Sequence, residues 1–97
     1  MTEKTEERLT FTKLSGTADY RRWAAIMKVV LIDKEVWDVV SGVRRRPSTE
    51  AEQLVWDKVN NKTLKLLFTS VSNEQLAYVI EEDQAERVWN CLKMLHG

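Results

Sequence analysis

At 97 residues the chain has the length of one small domain, and a composition of 43% hydrophobic and 31% charged residues with three glycines and one proline excludes a disordered or low-complexity polypeptide. Fifteen basic residues balance fifteen acidic ones, so the basic excess of a phosphate-binding domain is missing and nucleic acid is not an expected ligand of this segment. A single cysteine excludes an internal disulfide and fits a reducing compartment, and no apolar run has membrane-spanning length; a cytoplasmic protein without membrane contact is expected.

Residues 1–8 are polar, mixed in charge and without an apolar signal core, and are expected to form a flexible N-terminus ahead of a single domain over 9–97. LTFTKL (9–14) alternates apolar and polar side chains, the period of an extended segment. One such piece makes no sheet alone, so it is expected to lie along the helices and insert Leu9, Phe11 and Leu14. SGTAD then offers Thr17 or Asp19 as a helix cap. From about Ala18 to Ile32, Tyr20, Trp23, Met27, Val30 and Leu31 fall on a helical stripe, with Arg21, Arg22 and Lys28 on the other side.

DKEVWDVVSG (33–42) reads as a short second helix, with Asp33 as its cap, Val36, Val39 and Val40 at i, i+3, i+4, and Gly42 suited to a left-handed position past its end. VRRRPS (43–48) is the clearest loop. Thr49 to Glu52 matches a capping box and starts the longest helix, about Glu50 to Thr69, whose inner face is expected to carry Leu54 or Val55, Trp56, Val59, Thr63, Leu66 and Leu67. Ser72 to Gln75 opens a short helix over Leu76, Val79 and Ile80; Asp83 to Glu86 opens a last one carrying Ala85, Val88, Trp89, Leu92 and Leu95. The expected fold is all-α, a compact bundle of about five helices.

Catalysis finds little support. His96 is the only histidine and lies beside the chain end, where an ordinary surface residue is expected. Cys91, five positions earlier on the same helix, faces another side and serves as core filler. No Cys/His cluster suggests a metal, no glycine-rich loop suggests a phosphate, and Glu81, Glu82 and Asp83 suit a helix start better than acid–base work. No cofactor is expected. Arg44, Arg45 and Arg46 have two readings: a solvated loop, or a contact for a polyanion or an assembly partner. Trp23, Trp56 and Trp89 are assigned to the core. Trp37 is assigned to packing that braces the first helix, with partner contact as its alternative.

Taken in order, these phrases resemble the N-terminal part of the Gag polyprotein of Copia-type LTR retrotransposons. FTKLSGTADYRRW (11–23) is similar to that family's opening phrase through Gly16, Tyr20 and Trp23, with Asp19 where the family carries asparagine. MKVVLIDKEVWDVVSG (27–42) resembles its second phrase through Leu31, Trp37, Val40 and Gly42. Trp56 stands in the next long helix, and DQAERVWNCL (83–92) resembles a final phrase through Ala85, Trp89 and Leu92. The resemblance implies a capsid N-terminal lobe that self-associates into a shell, possessing no enzymatic activity. Such proteins continue into a second helical lobe and often a zinc knuckle that binds RNA. Neither pattern lies in these residues, so RNA binding is not carried over to them. A host-domesticated copy binding a short peptide in a groove walled by Phe11, Tyr20 and Trp37 is the alternative.

Overall fold

The computed structural model describes residues 12–97, so the expected flexible stretch 1–8 and the insertions of Leu9 and Phe11 lie outside the described residues. The extended segment reaches the body of the protein at Leu14, which is fully buried and forms a parallel bridge with Val71. Leu14 N–H donates to Ser70 O at 3.0 Å and Leu14 O accepts from Ser72 N–H at 2.8 Å. A single 3-10 turn over Thr17–Asp19 follows, and helix α1 runs Tyr20–Asp33, two residues later than the expected start.

Asp19 occupies the cap position but does not cap α1. Its carboxylate turns back and accepts from Ser15 N–H at 3.1 Å and Gly16 N–H at 3.0 Å. The buried stripe of α1 is Tyr20, Trp23, Met27 and Leu31, the spacing that keeps side chains on one helical face. Asp33 does not cap the second helix, which corrects the sequence reading; it is the last residue of α1. The chain reverses at Glu35, whose φ of 62° is left-handed. Glu35 N–H donates to Ile32 O and Val36 N–H to Leu31 O, both at 2.9 Å, a Schellman end that places Val36 against Leu31. No glycine marks this end, which is why the sequence pattern missed it.

Helix α2, Trp37–Ser41, is short and valine-rich, so burial must hold it. Val36, Val39 and Val40 are all buried, as their spacing predicts, and Gly42 takes the expected left-handed conformation with φ 84°. A side chain there would be strained, and its Cβ would also meet the Glu86 carboxylate. Helix α3 spans Glu50–Phe68, with Thr49 Oγ1 bonded to the Glu52 carboxylate at its start.

The buried stripe of α3 is Trp56, Asn60, Thr63 and Leu67. Leu54 or Val55 is expected on the inner face, and the two are instead 63% and 57% exposed. Trp56, Thr63 and Leu67 lie inward as expected and Val59 and Leu66 pack half-buried against the core, so only the first position of the expected face is misplaced, and the polar Asn60 is the inward residue not foreseen. Helix α4, Asn73–Val79, starts at Ser72, whose hydroxyl accepts from Gln75 N–H at 3.4 Å as a capping residue should. Helix α5 covers Ala85–His96. Ile80 and Leu95, also expected inside, are half-exposed.

Helix α5 is the centre of the packing and touches α2, α3 and α4. Its Ala85, Val88 and Leu92 are fully buried together with Leu14, Leu31 and Leu67 from the other segments. Each leucine removed from water in this way stabilises the fold by roughly 1.5–3 kcal/mol before chain entropy is counted. Among the described residues there are five α-helices and no β-strand, the all-α bundle that the periodicity predicts.

Candidate functional site

The residues that the sequence marks gather in two places. The first is a run of aromatic rings between α1, α2 and α5. Tyr20 and Trp23 stand one turn apart on α1 with ring centroids 6.0 Å apart. Trp89, from α5, stacks on Trp23 at 5.5 Å, and Trp37, the first residue of α2, meets Trp89 edge-on at 5.3 Å. Each such pair contributes about 0.5–1.5 kcal/mol beyond the area it buries. Lys28 places its ammonium 5.2 Å from the centroid of the Trp37 ring.

Trp37 is half-buried, with its ring against Trp89 of α5 and beneath the Lys28 ammonium of α1. Tyr20 is 7% exposed, and burial pushes its hydroxyl above the ordinary value. Tyr20 and Trp37 sit at opposite ends of a ring sequence with Trp23 and Trp89 between them, while Phe11 lies outside the described residues. Trp23 also donates its indole N–H to Ser70 O at 2.9 Å, fastening the connection between α3 and α4.

His96 continues this run, its ring centroid 5.8 Å from that of Tyr20. It is not the ordinary surface residue that its place near the chain end suggests. Gln75 Oε1 lies 2.6 Å from Nε2 and Thr17 Oγ1 lies 2.8 Å from Nδ1, so both ring nitrogens are engaged. Gln75 Nε2–H donates in turn to Ser15 O at 3.3 Å. These bonds tie the end of α5 to α4 and to the turn before α1. Gln75 reads as a capping partner in the sequence, and nothing local in it announces the contact with His96, which lies 21 residues away.

The second place is the arginine loop, and its three arginines have three different environments. Arg44 is half-buried; its N–H donates to Asp38 O at 3.0 Å and its carbonyl accepts the Trp56 indole N–H at 3.1 Å. Arg45 is exposed. Arg46 forms a two-pronged pair with Asp57, Nε to Oδ1 at 2.9 Å and Nη2 to Oδ2 at 3.0 Å. That bond holds the Asp57 carboxyl below its ordinary value and raises the guanidinium. Gln53 Nε2–H donates to Pro47 O at 3.0 Å, which binds the loop to the first turn of α3.

Asn60 was missed by sequence reasoning. From inside α3 it donates Nδ2–H to Asp83 O at 2.8 Å and accepts Ala85 N–H on Oδ1 at 2.9 Å. It thereby caps α5 across space, a task that the sequence assigns to Asp83; the residue in the cap position is Gln84, with no side-chain bond of its own. The one local signal was an asparagine in step with Trp56, Thr63 and Leu67. Beside it, Arg46, Asn61 and Gln84 help line an open polar hollow of about 350 Å³; Pro47, Ala51 and Val55 line a more apolar one of about 500 Å³.

Among the described residues, every buried side-chain nitrogen and oxygen has a hydrogen-bond partner, and no three of His, Cys, Asp and Glu group as metal ligands. Cys91 is half-buried, its thiol 3.9 Å from Tyr78 O. No described helix is long and apolar enough to cross a membrane. Gly16, Tyr20, Trp23, Leu31, Trp37, Val40, Gly42, Trp56, Trp89 and Leu92 all lie among the described residues. Most of them pack or shape the backbone; they do not converge as reactive groups on a cavity.

The class defined by this fold is a small all-helical domain. Residues 27–97, most of the chain, match the family described as gag-polypeptide of LTR copia-type, and the chain belongs to that family. The match begins inside α1, so the phrase around Gly16, Tyr20 and Trp23 precedes it. No curated protein and no solved structure matches the chain.

Proposed function

We propose that this chain is a structural, non-enzymatic N-terminal lobe of a copia-type Gag capsid protein, which self-associates with further Gag segments into a shell around the element's RNA. The family match over residues 27–97 carries the reading. The helical bundle supports it: Tyr20, Trp23, Leu31, Val40, Trp56 and Leu92, through which the sequence resembles that family, are buried in the core, and the exposed surface is left for contacts. Individually weak lobe contacts suffice for such a role, because a shell multiplies them.

The test is solution sizing and electron microscopy of the full-length Gag protein under a range of salt and crowding conditions. Closed or curved particles are expected. A full-length protein that stays monomeric throughout ends the assembly reading.

A further inference from the structure

The zero net charge of the chain conceals two surfaces of opposite sign. Along α1, Tyr20–Asp33, there are three cations, Arg21, Arg22 and Lys28, and a single acidic residue, Asp33, at its last position. From Asn73 to Gln84, α4 and the turn after it carry four acidic residues, Glu74, Glu81, Glu82 and Asp83, and no lysine or arginine. Each surface also carries apolar side chains that the fold leaves uncovered. On α1 these are Val29, 66% exposed, and Ile32, 52% exposed; on and after α4 they are Tyr78, 60%, and Ile80, 50%.

The helical register places these groups together. Arg21, Lys28 and Ile32 follow at i, i+7 and i+11 on the face of α1 opposite Trp23 and Met27, with Arg22 and Val29 beside them. Glu74 and Tyr78 stand one turn apart on α4, and Ile80 and Glu81 follow directly. Arg21, Arg22, Glu74 and Glu81 are all exposed, so neither surface covers the other within one molecule. Complementary charge arranged around apolar centres steers and orients association.

We propose that the basic face of α1 docks on the acidic face of α4 of a second copy of this chain. The occupant follows from the charge pattern, since every copy presents both halves of the pair, opposite in sign and similar in apolar character. When each copy engages a different neighbour through each of its two surfaces, the contact is head-to-tail and propagates into rings or open arrays. It rests on the self-association reading above and names the surfaces that carry it.

The experiment uses the 97-residue chain in sedimentation runs over a concentration series at low and raised salt. The weight-average mass of the native chain rises with concentration, and less so in high salt. Arg21→Glu with Arg22→Glu, and separately Glu74→Lys with Glu81→Lys, each set like charges opposite each other and weaken association about tenfold or more. Mixing the two variants pairs opposite charges again and restores association, which damage to the fold would not do. Circular dichroism of each variant should match the native chain, since all four positions are exposed.

Association that survives either double substitution, or a mixture no better than its parts, overturns the proposal. So does a native chain that stays monomeric throughout. An Arg45→Glu control should associate normally; if it alone abolishes association, the arginine loop is the cationic partner and the α1 surface is refuted. Particle formation by full-length Gag is scored separately: particles that form regardless of these charges leave the capsid reading standing without this interface.

Discussion

Trp23 and Trp56 perform the same act in two regions, each donating its indole N–H to a backbone carbonyl of a connecting segment, Ser70 O at 2.9 Å and Arg44 O at 3.1 Å. Around Ser70 the support is redundant. The same carbonyl accepts from Leu14 N–H, Ser72 N–H returns a bond to Leu14 O, and the Ser70 hydroxyl donates to Leu67 O, all in a buried setting. Around Arg44 the other ties are the backbone bond to Asp38, a glycine turn, the half-buried bond from Gln53 to Pro47 O and an exposed ion pair. Local stability follows the burial of such bonds more than their number. The α3–α4 connection should therefore be among the last parts to open, and the arginine loop among the first.

The largest test of that contrast is Trp23→Ala, which removes a buried ring that stacks on Trp89 and packs on Tyr20. It should cost about 3–5 kcal/mol in a urea titration, with the slope unchanged if unfolding stays two-state. Gly42→Ala comes next. It forces a methyl into a left-handed turn and against the Glu86 carboxylate, and should cost about 1–2 kcal/mol, lowering the midpoint of thermal unfolding. Trp56→Phe keeps most of the ring and loses the bond to Arg44 O; about 0.5–1.5 kcal/mol is expected, with amide exchange accelerated chiefly in residues 43–48. Equal acceleration in residues 69–72 would erase the distinction between the two regions.

The same two regions show what was legible in the sequence. Gly42 and the valine triplet announce their turn and their burial through identity and spacing alone, and Trp23 stands in step with Met27. The end of α1 gave no such sign, because Glu35 occupies a position where glycine is the usual signal. On α3, Leu54 and Val55 misled and Asn60 was passed over, because the inward face spends Asn60 on hydrogen bonds to a helix start about two dozen residues later. His96 was misjudged for a related reason: its partners Thr17 and Gln75 come close only once the bundle has formed. Local periodicity sees side-chain character and not the distant backbone that a polar side chain will serve. The charge surfaces of α1 and α4 were in plain view as composition, but only exposure distinguishes them from buried or mutually covered segments.

The finest test concerns the ion pair between Arg46 and Asp57. Hydrogen bonding to Arg46 lowers the Asp57 carboxyl, so the pair favours the folded loop wherever the carboxyl is ionised in the unfolded chain, at and above about pH 4. That contribution is lost as pH falls through the lowered folded value. Both partners are exposed and screened by salt, so the effect belongs to the loop more than to global stability. Asp57→Asn should leave the thermal midpoint at neutral pH almost unchanged and the Trp56 indole N–H still protected in exchange measurements. The small difference in loop protection between native and variant chains should hold from neutral pH to about pH 4, then vanish at lower pH or in high salt. If Asp57→Asn releases the Trp56 indole N–H at neutral pH, the arginine loop is held by charge, and its likeness to the Trp23 anchor is only geometric.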